Sequence, residues 1–141
     1  MIKRLDDNCV NDLLVLTCGI QPITRGMAEQ MCKGYNPTNP CTQMYGVYND
    51  DNELVEIMEV IYREAIEDKH IPRIAEIHSS YRRCDIKHFE YTDKLLDAIE
   101  EDAREHFKAH YIQCSKYIGV HYLQSKYTAL SNELIFKSLR H

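Results

Sequence analysis

Residues 44–62 read MYGVYNDDNELVEIMEVIY, and the fold turns on whether they form a hairpin or a helix. Glu and Met favour a helix. Two features favour strands. NDDN at 49–52 is hairpin-turn chemistry. After it, Leu54, Glu56, Met58, Val60 and Tyr62 alternate with Val55, Ile57, Glu59 and Ile61. Apolar residues on both faces, several of them β-branched, suit an interior strand. Read as a helix, the same stretch would make the chain a purely helical protein of a regulatory kind. Read as strands, it places an antiparallel hairpin at the centre of a sheet, and the strand reading is adopted here.

On the N-terminal side, MIKRL (1–5) predicts a first strand and 6–18 a helix capped by Asp6 or Asp7, with Val10, Leu13, Leu14 and Thr17 at helical spacing and Gly19 and Pro22 as its stop. Residues 24–35 predict a second short helix, and NPTNPC (36–41) a turn-rich break. On the C-terminal side, 71–81 (IPRIAEIHSSY) reads as a strand in which Ile74 and Ile77 fall off strict alternation, so a bulge or splay is expected near Glu76. His88 to Lys108 carries the clearest helical stripe, Tyr91, Leu95, Ile99, Ala103 and Phe107, widened by Leu96 and Ala98. Asp93, Asp97, Glu100, Glu101 and Glu105 are read as its solvated face. A strand at 109–115, a helix at 116–127 and a last strand at 133–139 complete the chain. The order is that of a mixed α/β (α+β) domain with an early hairpin and a late βαβ unit.

Composition sets further bounds. A chain of 141 residues, 44% hydrophobic and 28% charged, predicts one domain, 1–141, with one core. Gly and Pro are sparse, at 5 and 4, Trp is absent and Tyr numbers 10. A net charge of -5 lacks the footprint of a nucleic-acid binder, although Arg82, Arg83, Lys87 and His88 form a local basic cluster. The cluster is either a phosphate or nucleic-acid contact or an exposed loop. No apolar run approaches the roughly 20 residues that span a bilayer. The six cysteines include no CxxC pair and, with the histidines, no zinc-like spacing, so no metal is expected. The charged start MIKRLDDN is unlike a signal peptide, which predicts free thiols in a reducing cytoplasm.

The element order and several residues resemble the GNAT superfamily of acyl-CoA-dependent N-acyltransferases, over nearly the whole chain and most closely in the last third. SKYIGVHYLQSKY (115–127) is similar to a family helix of roughly N-x-x-A-x-x-L-Y-x-x-x-G-F. Ser115 stands at the Asn, Ile118 at the Ala, His121 at the Leu, Tyr122 at the Tyr, Lys126 at the Gly and Tyr127 at the Phe. ELIFKSL (133–139) resembles the last strand. The resemblance implies a mostly antiparallel central sheet flanked by helices, acetyl-CoA as donor and an amine-bearing small molecule or protein as acceptor. It also implies a glycine-rich turn after the fourth strand, whose amides hold the coenzyme's diphosphate. Here that place reads YRRCDIK (81–87): Tyr81, Arg82 and Ile86 match, while Arg83, Cys84, Asp85 and Lys87 take the variable and glycine positions.

Carried over, the coenzyme would be met by Ile77, His78 and Ser79 on the strand, by Arg82, Arg83, Cys84, Asp85, Ile86 and Lys87 in the turn, and by Ser115. Glu76 is the candidate base, with Glu59 the second choice and His78 another; Tyr122 is the candidate acid for the departing thiolate. Their plainer readings are salt-bridged strand residues and a core aromatic. Cys84 and Cys114 are read as inert thiols rather than nucleophiles. A Cβ at each former glycine obstructs close approach of an anion and Asp85 repels it, whereas Arg82, Arg83 and Lys87 attract it. Two functions stay open: acyl transfer to an amine, or the same fold without catalysis, binding protein partners in an assembly. Some short-tailed phages carry a GNAT-like internal virion protein without the glycine turn, and EYTDKLL (90–96) and SKYIGVHYLQSKY resemble it. The expected location is then the virion rather than the cytoplasm.

Overall fold

A computed structural model describes residues 1–33, 42–70, 72–115, 127–129 and 134–139. The deciding stretch is a hairpin of β2 (Thr42–Tyr48) and β3 (Leu54–Arg63). The Asn49 side-chain oxygen accepts from the amides of Asp51 at 3.1 Å and Glu53 at 2.9 Å. Asn52 takes a φ of 60°, a left-handed conformation that Asn tolerates. Strand β3 is buried along most of its length, which explains why its apolar residues face both ways. Gly46 of β2 is the one place where the hairpin needs glycine: a Cβ there would lie 2.7 Å from Leu54 and 2.9 Å from Leu5.

Ahead of the hairpin come β1 (Ile2–Arg4), a 3-10 turn at Asp7–Cys9, α1 (Val10–Cys18) and α2 (Arg25–Cys32). Asp6 caps the turn by accepting from the Asn8 amide at 2.9 Å, and Thr24 caps α2 by accepting from Met27 at 3.1 Å. After it come β4 (Ile74–Arg82), α3 (Glu90–Glu105), β5 (Tyr111–Ser115), β6 (Thr128–Ala129) and β7 (Leu134–Ser138). The described strands form one sheet in the order β1-β2-β3-β4-β5-β7-β6. Only β4 and β5 pair in parallel; the other neighbours are antiparallel. This is the mixed, mostly antiparallel sheet that the sequence predicts.

Helices cover both faces. Leu95, Ile99 and Ala103 of α3 are fully buried against Val60, Tyr62, Ala75, Ile77, Ile112 and Ile135. Leu13, Leu16, Ala28 and Cys32 of α1 and α2 bury Met44, Tyr48, Leu54 and Ile57 on the other face. Each such side chain removed from water contributes about 1.5–3 kcal/mol. A polar chain ties the sheet edge to α3. The Tyr45 hydroxyl lies 2.6 Å from that of Tyr62 and donates to Asp102, which also accepts from Arg4 at 3.1 Å. The Tyr62 ring stacks on Phe107, with centroids 3.8 Å apart.

Two expectations are corrected and a third is made exact. Strand β4 starts at Ile74 and runs through Arg82, later at both ends than 71–81. Glu100 is not on a solvated face: it is buried and binds Lys137 of β7 at 2.5 Å, because β7 packs along that side of α3. The bulge expected near Glu76 falls two residues on: Glu76 pairs regularly with Ile61, and the extra residue is His78, between the pairs Val60–Ile77 and Glu59–Ser79. Ile74 and Ile77 needed no bulge, since β4 carries apolar residues on both faces. The expected break at 36–41 and helix at 116–127, apart from Tyr127, lie outside the described residues.

Candidate active site

Strand β4 changes its surroundings halfway along. From Ile74 to Ile77 it is paired on both edges, with β3 and with Tyr111–Cys114 of β5. Pairing with β5 ends at Ile77, yet β4 continues through Arg82, paired among the described residues with β3 alone. The His78 bulge sits where the two strands part. A bulge adds local twist and bends its strand, and β5 runs one residue beyond the last pair, to Ser115. The edge of β4 that faces away from β3 beyond Ile77 pairs with no described strand. Such an edge offers main-chain donors and acceptors to an extended ligand, as in strand addition.

Polar side chains gather at the parting. Glu59 is mostly buried, and its Oε1 lies 4.0 Å from Nε2 of exposed His78. Ser79 stands opposite Glu59 in the register. Glu76 is held at both oxygens: Arg63 donates to Oε2 at 2.9 Å and Gln113 to Oε1 at 3.2 Å. Both partners restrict its approach to an incoming ammonium. Ile77 turns its side chain into the α3 core, leaving only its backbone for a ligand. Gln113 also lines an apolar groove of about 320 Å³ with Pro72, Ile74, Tyr111 and Phe136. Cys114 is buried, and burial, with Glu76 nearby, pushes its thiol up to about 12, so it is not a nucleophile. Tyr122 lies outside the described residues; Ser115 ends β5.

The turn after β4 is filled by its own side chains. Arg83 Nε donates to Asp85 Oδ1 at 2.6 Å, and its Nη1 lies 3.5 Å from Glu53 Oε1 at the foot of β3. Arg82 donates to the His88 carbonyl at 3.1 Å and lies over the Phe89 ring, 4.6 Å from its centroid. The amide of Arg83 bonds to Val55 at 2.9 Å and that of Ile86 to Arg83 at 3.1 Å. Cys84 is exposed, its sulfur 4.0 Å from the Gly19 carbonyl. Helix α3 begins without a side-chain cap and carries Glu90 and Asp93 in its first turn. Beneath it, Glu56 is buried. One of its oxygens accepts from Thr92 at 2.8 Å and the other has no partner. Burial raises its carboxyl above the usual range, against the pull of Thr92 and Arg82.

The acyl-CoA that the resemblance implies has two halves, which these residues would meet differently. The pantetheine arm is an extended chain with amides, which suits the edge of β4. The nucleotide diphosphate does not fit the turn. Side chains replace the glycines, two amides are already bonded, and Arg82 and Arg83 have partners within the protein. Glu53, Asp85, Glu90 and Asp93 offset the field of Arg82, Arg83 and Lys87, so an approaching diphosphate meets little net attraction.

Sequence reasoning misses two participants and one pairing. Glu53 reads only as part of the hairpin; its link to Arg83 is long-range and has no local signal. Glu56 has one: a carboxylate inside a strand apolar on both faces must be buried. The Arg83–Asp85 pair is visible too, as opposite charges two residues apart in a turn.

No protein-family model and no curated sequence matches the chain. Solved structures do. An acetyltransferase of the GNAT family from Staphylococcus aureus Mu50 superposes with a TM-score of 0.68 at 16% identity, covering 99% of both chains. Mutant forms of the spermidine/spermine N-acetyltransferase SpeG from Vibrio cholerae give 0.68 at 12% identity, covering 99% of this chain and 94% of theirs. An aminoglycoside 6'-N-acetyltransferase from Acinetobacter baumannii gives 0.60 at 14%, over 94% and 81%. At these identities the likeness is one of fold, and this chain has the GNAT acetyltransferase fold.

Proposed function

From that fold, we propose that the chain is an N-acyltransferase that lays an acyl thioester along the free edge of β4 and passes the acyl group to an amine. The observation that carries the reading is the parting of β4 from β5 after Ile77, with the His78 bulge at its apex. A thioester seated there brings its carbonyl beside the Ile77–Ser79 backbone, whose amides can polarise it. The acceptor arrives as an ammonium and must lose a proton before it attacks. The Glu59–His78 pair suits that proton transfer, because the imidazole is exposed and the carboxylate beside it is mostly buried. Glu76, engaged at both oxygens by Arg63 and Gln113, is the less available carboxylate. Tyr122 keeps the role that the resemblance implies, proton donor to the leaving thiolate. The SpeG and aminoglycoside enzymes are named for amine acceptors, which supports a small polyamine or aminoglycoside as the first acceptor to try.

The test is amine-dependent release of thiol from acetyl-CoA and from S-acetylpantetheine. Release with spermidine, cut at least tenfold by His78→Ala or Glu59→Gln, is the expected result. No release from either donor with any amine, and no rise in melting temperature with either, overturns it. A second reading rests on the filled turn: the fold serves without catalysis, as a binding or structural component such as a phage internal virion protein. That same negative outcome would favour it.

A further inference from the structure

The side chains in the turn are arranged as though the anion were already present. Arg83 is the residue best placed to meet a phosphate, and two carboxylates of this chain already meet it. Asp85 reaches its Nε at 2.6 Å from within the turn, and Glu53 reaches Nη1 at 3.5 Å from the hairpin. Both carboxylates are ionised at neutral pH. The hydrogen bond from Arg83 holds Asp85 below the usual range, with Lys87 assisting; Asn49 first, and then Arg83, lower Glu53. Two amides that could supplement the guanidinium are bonded to Val55 and to Arg83 itself. The corner's Arg83 guanidinium and two of its amides are therefore engaged before a diphosphate arrives, while the edge of β4 beyond Ile77 pairs with no described strand.

We propose that Asp85 and Glu53 are built-in counter-anions that close the diphosphate corner, so that the donor is selected by its pantetheine arm and the 3'-phospho-ADP half adds nothing to its binding. The substrate class is then acyl-pantetheine thioesters as a whole, whether or not a nucleotide is attached. The claim rests on the acyltransferase reading and sharpens it. Exposed ion pairs are individually weak and are screened by salt. The closure is therefore a matter of summed charge and missing amides rather than of one strong bond, and it shows best at low ionic strength.

The experiment compares dissociation constants of acetyl-CoA and S-acetylpantetheine by calorimetry at low salt, for the wild-type chain and for a Glu53→Gln, Asp85→Asn double variant. In wild type the two donors are expected to bind within about threefold of one another, and adenosine 3',5'-diphosphate is expected not to compete. In the double variant, acetyl-CoA is expected to gain about tenfold over S-acetylpantetheine, because a freed guanidinium forms a charge-assisted pair with phosphate. Wild type preferring acetyl-CoA by about thirtyfold or more would overturn the closure and leave the acyltransferase standing. A double variant with unchanged preference would remove Asp85 and Glu53 as its cause. Binding of neither donor to either protein would end the acyltransferase reading and this one with it.

Discussion

Strand β4 passes through two environments. Its first four residues, Ile74–Ile77, are paired on both edges, and Ala75 and Ile77 are sealed beneath α3. Its last five, His78–Arg82, are paired on one edge, carry mostly polar side chains and end in a turn held by ion pairs. Below the bulge, Ala75 and Ile77 are fixed by apolar packing. Above it, backbone is left exposed and charge does the fixing. Stability and chemistry thus occupy successive halves of the same strand, and the bulge allows both. A regular strand would have to stay paired with β5 or leave the sheet.

The difference can be broken or sharpened by substitution. The largest effect should come from Ile77→Ala, which opens a cavity under α3 at a site that is 1% exposed. Urea unfolding should show a loss of about 2–5 kcal/mol. A loss below about 1 kcal/mol would mean that the sealed half is no better packed than the open one. Tyr45→Phe comes next. It removes the hydroxyl linking Tyr62 to Asp102, leaving the buried Tyr62 hydroxyl without that partner, and should cost about 1–3 kcal/mol. Burial, with Tyr62 and Asp102 nearby, pushes that hydroxyl far above the phenol range, so the loss should not vary with pH between 5 and 9.

Glu56→Gln moves the comparison to the open half. The folded-state carboxyl titrates above the ordinary glutamate value of 4.5, so folding takes up a proton in between. Its contribution is full below that value and is lost as pH rises through the folded one. Wild-type stability should therefore decline over that interval relative to the Gln variant, and the two melting curves should run parallel at lower pH. A constant gap at every pH would show that the group is not raised. The smallest effect belongs to Asp85→Asn. Its carboxylate is fully solvated, and an exposed pair adds little to folding, so the melting temperature should not move measurably. A clear drop would show that the turn is held as firmly as the core and would erase the contrast.

How much can be read in advance follows the same division. The hairpin is legible because β3 repeats every second residue and Asn49 sits at its turn. Helix α3 is legible because Leu95, Ile99 and Ala103 repeat every fourth. Both signals are local, and apolar burial enforces them. The bulge falls two residues from its expected place because nothing in Glu-Ile-His-Ser distinguishes the position that will be left unpaired; partner strands decide that. Glu100 reads as solvated in sequence because its burial depends on Lys137 in β7. Glu53 escapes notice for the same reason, since ion pairs carry no periodicity and their partners come from elsewhere in the chain.

Burial also sorts the thiols by reactivity. Cys9, Cys32 and Cys114 are enclosed, and burial lifts Cys32 to about 11 and Cys114 to about 12; Cys18 and Cys84 are exposed. A maleimide dye at neutral pH will thus label, among the described cysteines, the end of α1 and the turn after β4 and spare the interior. Those two positions lie close together, with Cys84 against Gly19, the residue after Cys18. A fluorophore pair attached there would convert movement between the end of α1 and the turn after β4 into an optical signal without engineering a new reactive site.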